Sequence, residues 1–492
     1  MKKIIIATIL ILLFGIYTYS QTDIPNTASG IILQKAVTAI NTGNINTVKT
    51  FISENHSQRS IDFFGEDELF EMYYGIYDIS HGLDFYRLIE SSERKTVAVF
   101  RCRLTDAGYQ FGVTMDSKLS NKIIGLSTLP LAYTDENIGS KKISDDEIVK
   151  KLQSIMNGLE KGKVFSGVVL LARENKIIFN EAYGWEKHNP DIPASIYTKF
   201  NLASVGKMFT GIAIAQLCEK GILSYEDPIG KFLGEEWIPV DVGENVKIKH
   251  LLSHTSGIGG GDFAITYVEE AVKNGYKNID DYKDLSVNIQ LDFDPGEKFD
   301  YSNMGYHLLG AIIEKVTGNN YFSYLKSQIF EPAEMTNAGF PLTNSNLESM
   351  AVGYEKVYEK GTLVYKDNRK KNRIKGSPAG SGYATSTDLF HFTQAIKNNK
   401  LVTQETKNIL FTPKKELNSP RYGYGFKICS LPNGSTRVYH TGGYVGINNV
   451  VSMDLDNDIT LIILSNLDNI SYGACQDMLS MMIYEIFERT YD

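Results

Sequence analysis

Three short polar strings, far apart in the chain, constrain its fold most: Ser204-Val205-Gly206-Lys207, Tyr301-Ser302-Asn303 and His440-Thr441-Gly442. Each is weak alone. A Ser-x-x-Lys also occurs at Ser92 to Lys95 and at Ser323 to Lys326, and a second Tyr-x-Asn at Tyr276 to Asn278. Order, spacing and local context set the trio apart. A fold that uses all three must bring a helix, a segment of a largely helical region and a strand to one cleft.

The residue types have a chemical logic. A serine hydroxyl is a poor nucleophile at neutral pH, so a base must take its proton during attack. A lysine three positions later on a helix stands on the same face. Asn201 to Gly221 reads as that helix, with Met208, Phe209, Ile212, Ala215 and Leu217 apolar and Gly221 suited to the C-cap. Ser204 then falls in the first turn, where unpaired N–H groups favour developing negative charge. The rival at Ser323 lies in a similar run (Tyr321, Tyr324, Leu325, Ile329) without other signals of a site. Ser92 falls in a polar turn between two strand candidates. Both read as structural.

With these strings the chain resembles the beta-lactamase-related serine hydrolases, the superfamily of class C beta-lactamases, low-molecular-mass penicillin-binding proteins and related esterases. Phe200 to Ser204 through Thr210-Gly211 is similar to that family's nucleophile helix, and Ile248 to Gly257 (IKHLLSHTSG) to a very characteristic segment. Asp294-Pro295-Gly296-Glu297 leading into Phe299 to Tyr306, Ile329 to Met335, and Gly380 to Thr385 add to the likeness, which runs over residues 145 to 492. The resemblance implies an α+β, beta-lactamase/transpeptidase-like fold: an antiparallel sheet flanked by helices, plus a helical lobe. It implies that Ser204 is acylated, that Lys207 assists its deprotonation and that Tyr301 is the other acid–base group. Which of Lys207 and Tyr301 is the base stays open. Asn303, His440, Thr441 and Gly442 are expected to bind substrate, and the backbone N–H groups of Ser204 and Gly443 to form the oxyanion hole.

One departure matters. Many relatives carry lysine where this chain has His440. An ammonium is always available to hold a substrate carboxylate, whereas histidine is mostly neutral at pH 7. The missing cation favours esters or other acyl substrates without an anionic handle over penicillins or peptides with a free carboxylate. The Tyr-Ser-Asn motif, with no separate glutamate base motif, places the chain on the class C side.

The 492 residues exceed one typical domain. A net charge of −8 gives no reason to expect nucleic acid or an anionic membrane as partner. Met1-Lys2-Lys3 and the apolar run Ile4 to Ile16 have the shape of a secretory signal spanning residues 1–20, with cleavage after Thr18-Tyr19-Ser20. The expected location is therefore periplasmic or extracellular, with no stable membrane insertion after cleavage; an uncleaved anchor is the alternative. The four cysteines (Cys102, Cys218, Cys429, Cys475) read as buried free thiols, and neither they nor the dispersed histidines suggest a metal site or any other cofactor. His250 and His254 read as loop braces.

Residues 22–140 form a separate block: a helix through Ile31 to Phe51, another at Glu66 to Tyr77, then strands at Leu83 to Ile89, Thr96 to Leu104, Gln110 to Met115 and Lys122 to Leu129. That order reads as a small α+β domain, of nuclear-transport-factor-2-like or cystatin-like shape, acting as a spacer or covering the site. The catalytic domain, 144–492, opens with a capping box (Ser144, Glu147) and a hairpin at Val164 to Ala172 and Lys176 to Ala182. A helical middle follows, then strands at Thr436 to Thr441, Asn448 to Met453 and Thr460 to Leu464, and a closing helix at Tyr472 to Arg489. Three functions fit: an exported serine hydrolase acting on esters or small amides; a D,D-peptidase or beta-lactamase; and a binding or sensor protein on the same fold. In the first two a small-molecule or peptide acyl substrate is the partner. The complete motif set argues against the third.

Overall fold

The computed structural model describes residues 23–105, 107–118, 121–132, 144–259, 273–274, 278–340, 348–359, 362–369, 376–380, 382–431, 434–468, 479–480 and 483. The leader at 1–20, Cys475 and most of the closing helix expected at Tyr472 to Arg489 lie outside them.

Among the described residues, the small N-terminal domain has four helices, α1 (Ala28–Asn41), α2 (Ile45–Asn55), α3 (Gln58–Phe64) and α4 (Glu66–Ser80). An antiparallel meander follows, β1 (Leu83–Ser91), β2 (Lys95–Cys102), β3 (Gly108–Met115) and β4 (Ile123–Leu131). One long helix was expected where α1 and α2 stand. Apolar periodicity continues across the junction, but Gly43 takes φ +60° against the Tyr77 ring, and Asn44 caps α2 by accepting from the Thr47 N–H at 3.0 Å.

The catalytic domain opens with α5 (Asp145–Lys161), whose capping box joins Ser144 and Glu147. The hairpin β5 (Gly167–Arg173) and β6 (Lys176–Tyr183) follows. The helical middle contains α6 (Gly206–Glu219) and α7 (Asn303–Thr317), and also a hairpin absent from the sequence reading, β7 (Tyr354–Glu359) and β8 (Thr362–Asp367). Four strands complete the main sheet: β9 (Lys427–Ser430), β10 (Thr436–Tyr444), β11 (Ile447–Asp454) and β12 (Ile459–Ser465). The sheet is antiparallel in the order β9-β10-β11-β12-β5-β6, so the helical middle is an insertion between its two halves.

Side-chain alternation gives this sheet two buried faces. Val168, Leu170, Ile462 and Leu464 join the core of the helical lobe, which includes α6 and α7. Val169, Leu171, Leu461 and Ile463 join α5 and the apolar interior of the N-terminal domain in a second continuous core. A buried ion pair also crosses between the domains: Lys356 Nζ on β7 lies 3.3 Å from Asp78 Oδ1 on α4.

β9 pairs with β10 only over Thr436–Tyr439. From His440 onward this edge of β10 has no strand partner among the described residues. The helical lobe meets the sheet along that open edge, where the three motifs come together.

Candidate active site

Ser204 lies in a single 3-10 turn, Ala203–Val205, immediately before α6. Ala203 adopts φ +44°, a left-handed conformation that costs a non-glycine residue roughly 1–2 kcal/mol. Its N–H is held by Asn201 Oδ1 at 2.9 Å. Ser204 is half-buried.

Lys207 is fully buried one turn on. Its Nζ lies 3.3 Å from Ser204 Oγ and 2.7 Å from Asn303 Oδ1, and it also donates to the Ala379 carbonyl. Burial, reinforced by the nearby charge of Lys427, pushes its pKa well below the ordinary lysine value. The shift favours the neutral amine. In that form, with Asn303 Oδ1 and the Ala379 carbonyl taking its two protons, the lone pair is available to the hydroxyl of Ser204.

Tyr301 precedes α7, which Ser302 caps by accepting from the Gly305 N–H at 3.0 Å. The Tyr301 ring lies 4.8 Å from Lys207 Nζ. Behind it sits His254, completely buried and only 4.2 Å away, centroid to centroid. His254 Nδ1 accepts from the Ser302 N–H at 3.1 Å, which places the proton of the neutral ring on Nε2. Desolvation and the Lys207, His440 and Lys427 charges push this histidine well below its ordinary pKa. His254 is thus a brace, applied directly to the Tyr-Ser-Asn loop.

His440 requires a correction. Strand alternation turns it to the face of β10 packed on the helical lobe, where it is completely buried. Nδ1 donates to the Thr441 carbonyl at 2.7 Å, and Nε2 accepts from the Tyr422 hydroxyl at 2.8 Å. Both ring nitrogens are committed within the protein, so His440 holds the strand and Tyr422 in place rather than contacting substrate. Gly442 has a packing role in the strand: a Cβ there would meet the Leu202 carbonyl oxygen at 2.2 Å. Glycine is needed for β10 to pass against the turn that carries Ser204.

Thr441 and Gly443 face the other way along the strand. The Ser435 carbonyl accepts from Leu431 N at 2.8 Å on the β9 side, and the Thr436 carbonyl from Leu455 N at 3.0 Å on the β11 side. Backbone direction alternates from there, and the pairing with β11 has no register shift. Odd-numbered residues therefore point their backbone groups to the β9 side, and the N–H groups of Thr441 and Gly443 face the open edge.

The structure also assembles groups that the motifs do not contain. The Lys427 ammonium, from the first residue of β9, donates to Thr441 Oγ1 at 2.8 Å. Tyr422 and Tyr306 surround His254, and Ala379 supplies a carbonyl to Lys207. Of these, only Tyr306 lay in a segment with a sequence signal.

The Beta-lactamase family model matches residues 149–474. Penicillin-binding protein 4* of Bacillus subtilis is 31% identical over 331 residues, 64% of this chain and 71% of the relative. Protein flp of Staphylococcus aureus is 30% identical over 321 residues, 64% of this chain and 62% of its own length. Among solved structures, the penicillin-binding protein of Bacillus halodurans shares the fold with a TM-score of 0.58 at 24% identity, over 69% of this chain and all of that one. The matched region contains all three motifs and the two lobes that converge on them, and the chain belongs to the beta-lactamase family of serine hydrolases.

Proposed function

We propose that the protein is an exported enzyme that hydrolyses esters or small amides through an acyl-enzyme on Ser204. The observation that carries this reading is the buried Lys207 amine, 3.3 Å from Ser204 Oγ with its other two positions occupied. Lys207 is then the base of acylation. It takes the Ser204 proton as the oxygen attacks the acyl carbon, and the oxyanion forms between the N–H groups of Ser204 and Gly443. The proton passes through Tyr301, beside the amine, to the leaving oxygen or nitrogen. In the second half, water attacks the acyl-enzyme and its proton returns by the same groups to Ser204 Oγ. Asn303 contributes twice, fixing Lys207 through Oδ1 and presenting its NH2 to the acyl chain.

Export rests on the leader Met1 to Ser20. No helix among the described residues is long and apolar enough to cross a membrane. The test is hydrolysis of p-nitrophenyl butyrate by the mature protein and by Ser204→Ala, with nitrocefin alongside. Ester turnover lost in the variant supports the mechanism. Turnover that persists in Ser204→Ala overturns it, and rapid nitrocefin cleavage moves the enzyme to the lactamase reading.

A further inference from the structure

A cavity of about 550 Å³ lies at the end of the main sheet away from Ser204. Asn175 in the β5–β6 turn and Asp458 in the β11–β12 turn line it from the sheet side. The other wall is the end of α8 (Ser386–Lys397) and one side of α9 (Gln404–Leu410). Near the site, Gly443 pairs with Asn448 at the start of β11. At the far end of that strand Asp454 pairs with Ile459, and Ile459 with Arg173. The rise of β11 sets those two ends about 20 Å apart.

Two lysines line the cavity, and they are treated differently. Lys397 donates through Nζ to Asp458 Oδ1 and Thr460 Oγ1, both at 2.8 Å, so a carboxylate answers its charge. Lys407 is only 7% exposed, and the Lys397 carbonyl, at 2.8 Å, is the sole hydrogen-bond partner of its Nζ among the described residues. Burial pushes its pKa below the ordinary lysine value, and no carboxylate opposes the shift. A buried ammonium with one neutral acceptor costs stability, and the fold gains nothing visible in return. A bound anion would supply the missing counter-charge.

The rest of the lining suits a polyhydroxylated ring. Asn175 and Asn398 are exposed, and their side-chain amides make no hydrogen bond among the described residues. Each offers donors and an acceptor together, which is what a sugar hydroxyl needs. Phe411 and Leu455, the latter 39% exposed, add apolar surface for the C–H face of a ring. The volume is that of a small-molecule site. We infer that this cavity binds an acidic sugar, with Lys407 holding its carboxylate or phosphate and the amides of Asn175 and Asn398 its hydroxyls. The inference is independent of the acyl-enzyme reading, because the cavity lies apart from Ser204 and its occupancy is measured without turnover.

The test is calorimetric titration of the full chain with glucuronate, glucose 6-phosphate, glucose and inorganic phosphate. The first two separate a carboxylate from a phosphate on the same ring, and the last two remove the charge or the ring. At least one acidic sugar should bind about tenfold or more tightly than both glucose and inorganic phosphate. That preference over glucose should fall about tenfold in Lys407→Gln, which can still donate to the Lys397 carbonyl, and survive in Lys407→Arg. Asn398→Leu, at an exposed position, should weaken the acidic sugar and leave inorganic phosphate unchanged. Circular dichroism confirms that each variant is folded. No binding of either acidic sugar, equal binding of glucose or inorganic phosphate, or a preference unchanged in Lys407→Gln overturns the proposal.

Discussion

Lys207 and Asn303, 96 positions apart, are joined by a 2.7 Å hydrogen bond between Nζ and Oδ1. That bond ties the nucleophile helix to the helix carrying the second motif and fixes the direction of the amine's lone pair. The arrangement separates two properties usually confused in such sites: the amine must be buried for its pKa to fall and its neutral form to be favoured, and it must be oriented to be useful.

Lys207→Met removes the base while nearly conserving volume and leaving no buried charge. It should lower kcat on p-nitrophenyl butyrate by about 10²–10⁴-fold, the range for a lost general base. Lys207→Arg should fail equally, because a guanidinium does not deprotonate. Steady-state kinetics check both, with circular dichroism confirming that each variant is folded.

The pH profile should follow the Lys207 amine. Burial and the Lys427 charge lower its pKa, so the acid limb of kcat/KM lies well below the ordinary lysine range. Lys427→Gln removes one of those two causes. The neutral amine then becomes harder to maintain, and the acid limb for a neutral ester should move to higher pH. A limb that stays in place or moves down would contradict the assignment of Lys207 as base.

Gly442→Ala tests the close approach of β10 to the Ser204 turn. With a Cβ 2.2 Å from the Leu202 carbonyl oxygen, one backbone must shift. Overpacking of this kind costs about 1–3 kcal/mol. Displacing an oxyanion donor lowers kcat by about 10²-fold or more. Urea denaturation and ester kinetics on the same preparation measure the two effects.

Lys356→Met should destabilise the protein although it lies outside the site. Asp78 is buried, its Oδ2 has no hydrogen-bond partner among the described residues, and its Oδ1 depends on Lys356. Removing one partner of a buried pair costs about 3–5 kcal/mol, because the remaining charge stays desolvated. The double variant Asp78→Leu with Lys356→Met should recover most of that loss. A double-mutant cycle in urea gives the coupling between the domains directly.

Much of this molecule was legible in order along the chain. The capping box at Ser144 and Glu147, the hairpin of β5 and β6 and the meander of β1–β4 follow from caps, turns and alternation, all set by residues a few positions apart. The break between α1 and α2 was missed because the apolar period runs through it, while a glycine and an asparagine cap decide it locally. β9 is four residues long, and the β7–β8 hairpin draws on a parallel contact of Tyr354 with Leu467. Neither carries a pattern strong enough to stand alone.

The site divides in the same way. Sequence by itself brought Ser204 and the Lys207 amine together, because residues three apart across a helical turn share one face; the structure starts α6 only at Gly206 and sets Ser204 in the 3-10 turn before it. It also named the strings that carry Tyr301, Asn303 and Thr441. Only the tertiary structure decided that His440 turns inward to Tyr422 and that Lys427 stands over Thr441. Helical neighbours are fixed by a period within one segment, whereas cross-strand neighbours depend on the register of two segments and on which face each strand presents to the core.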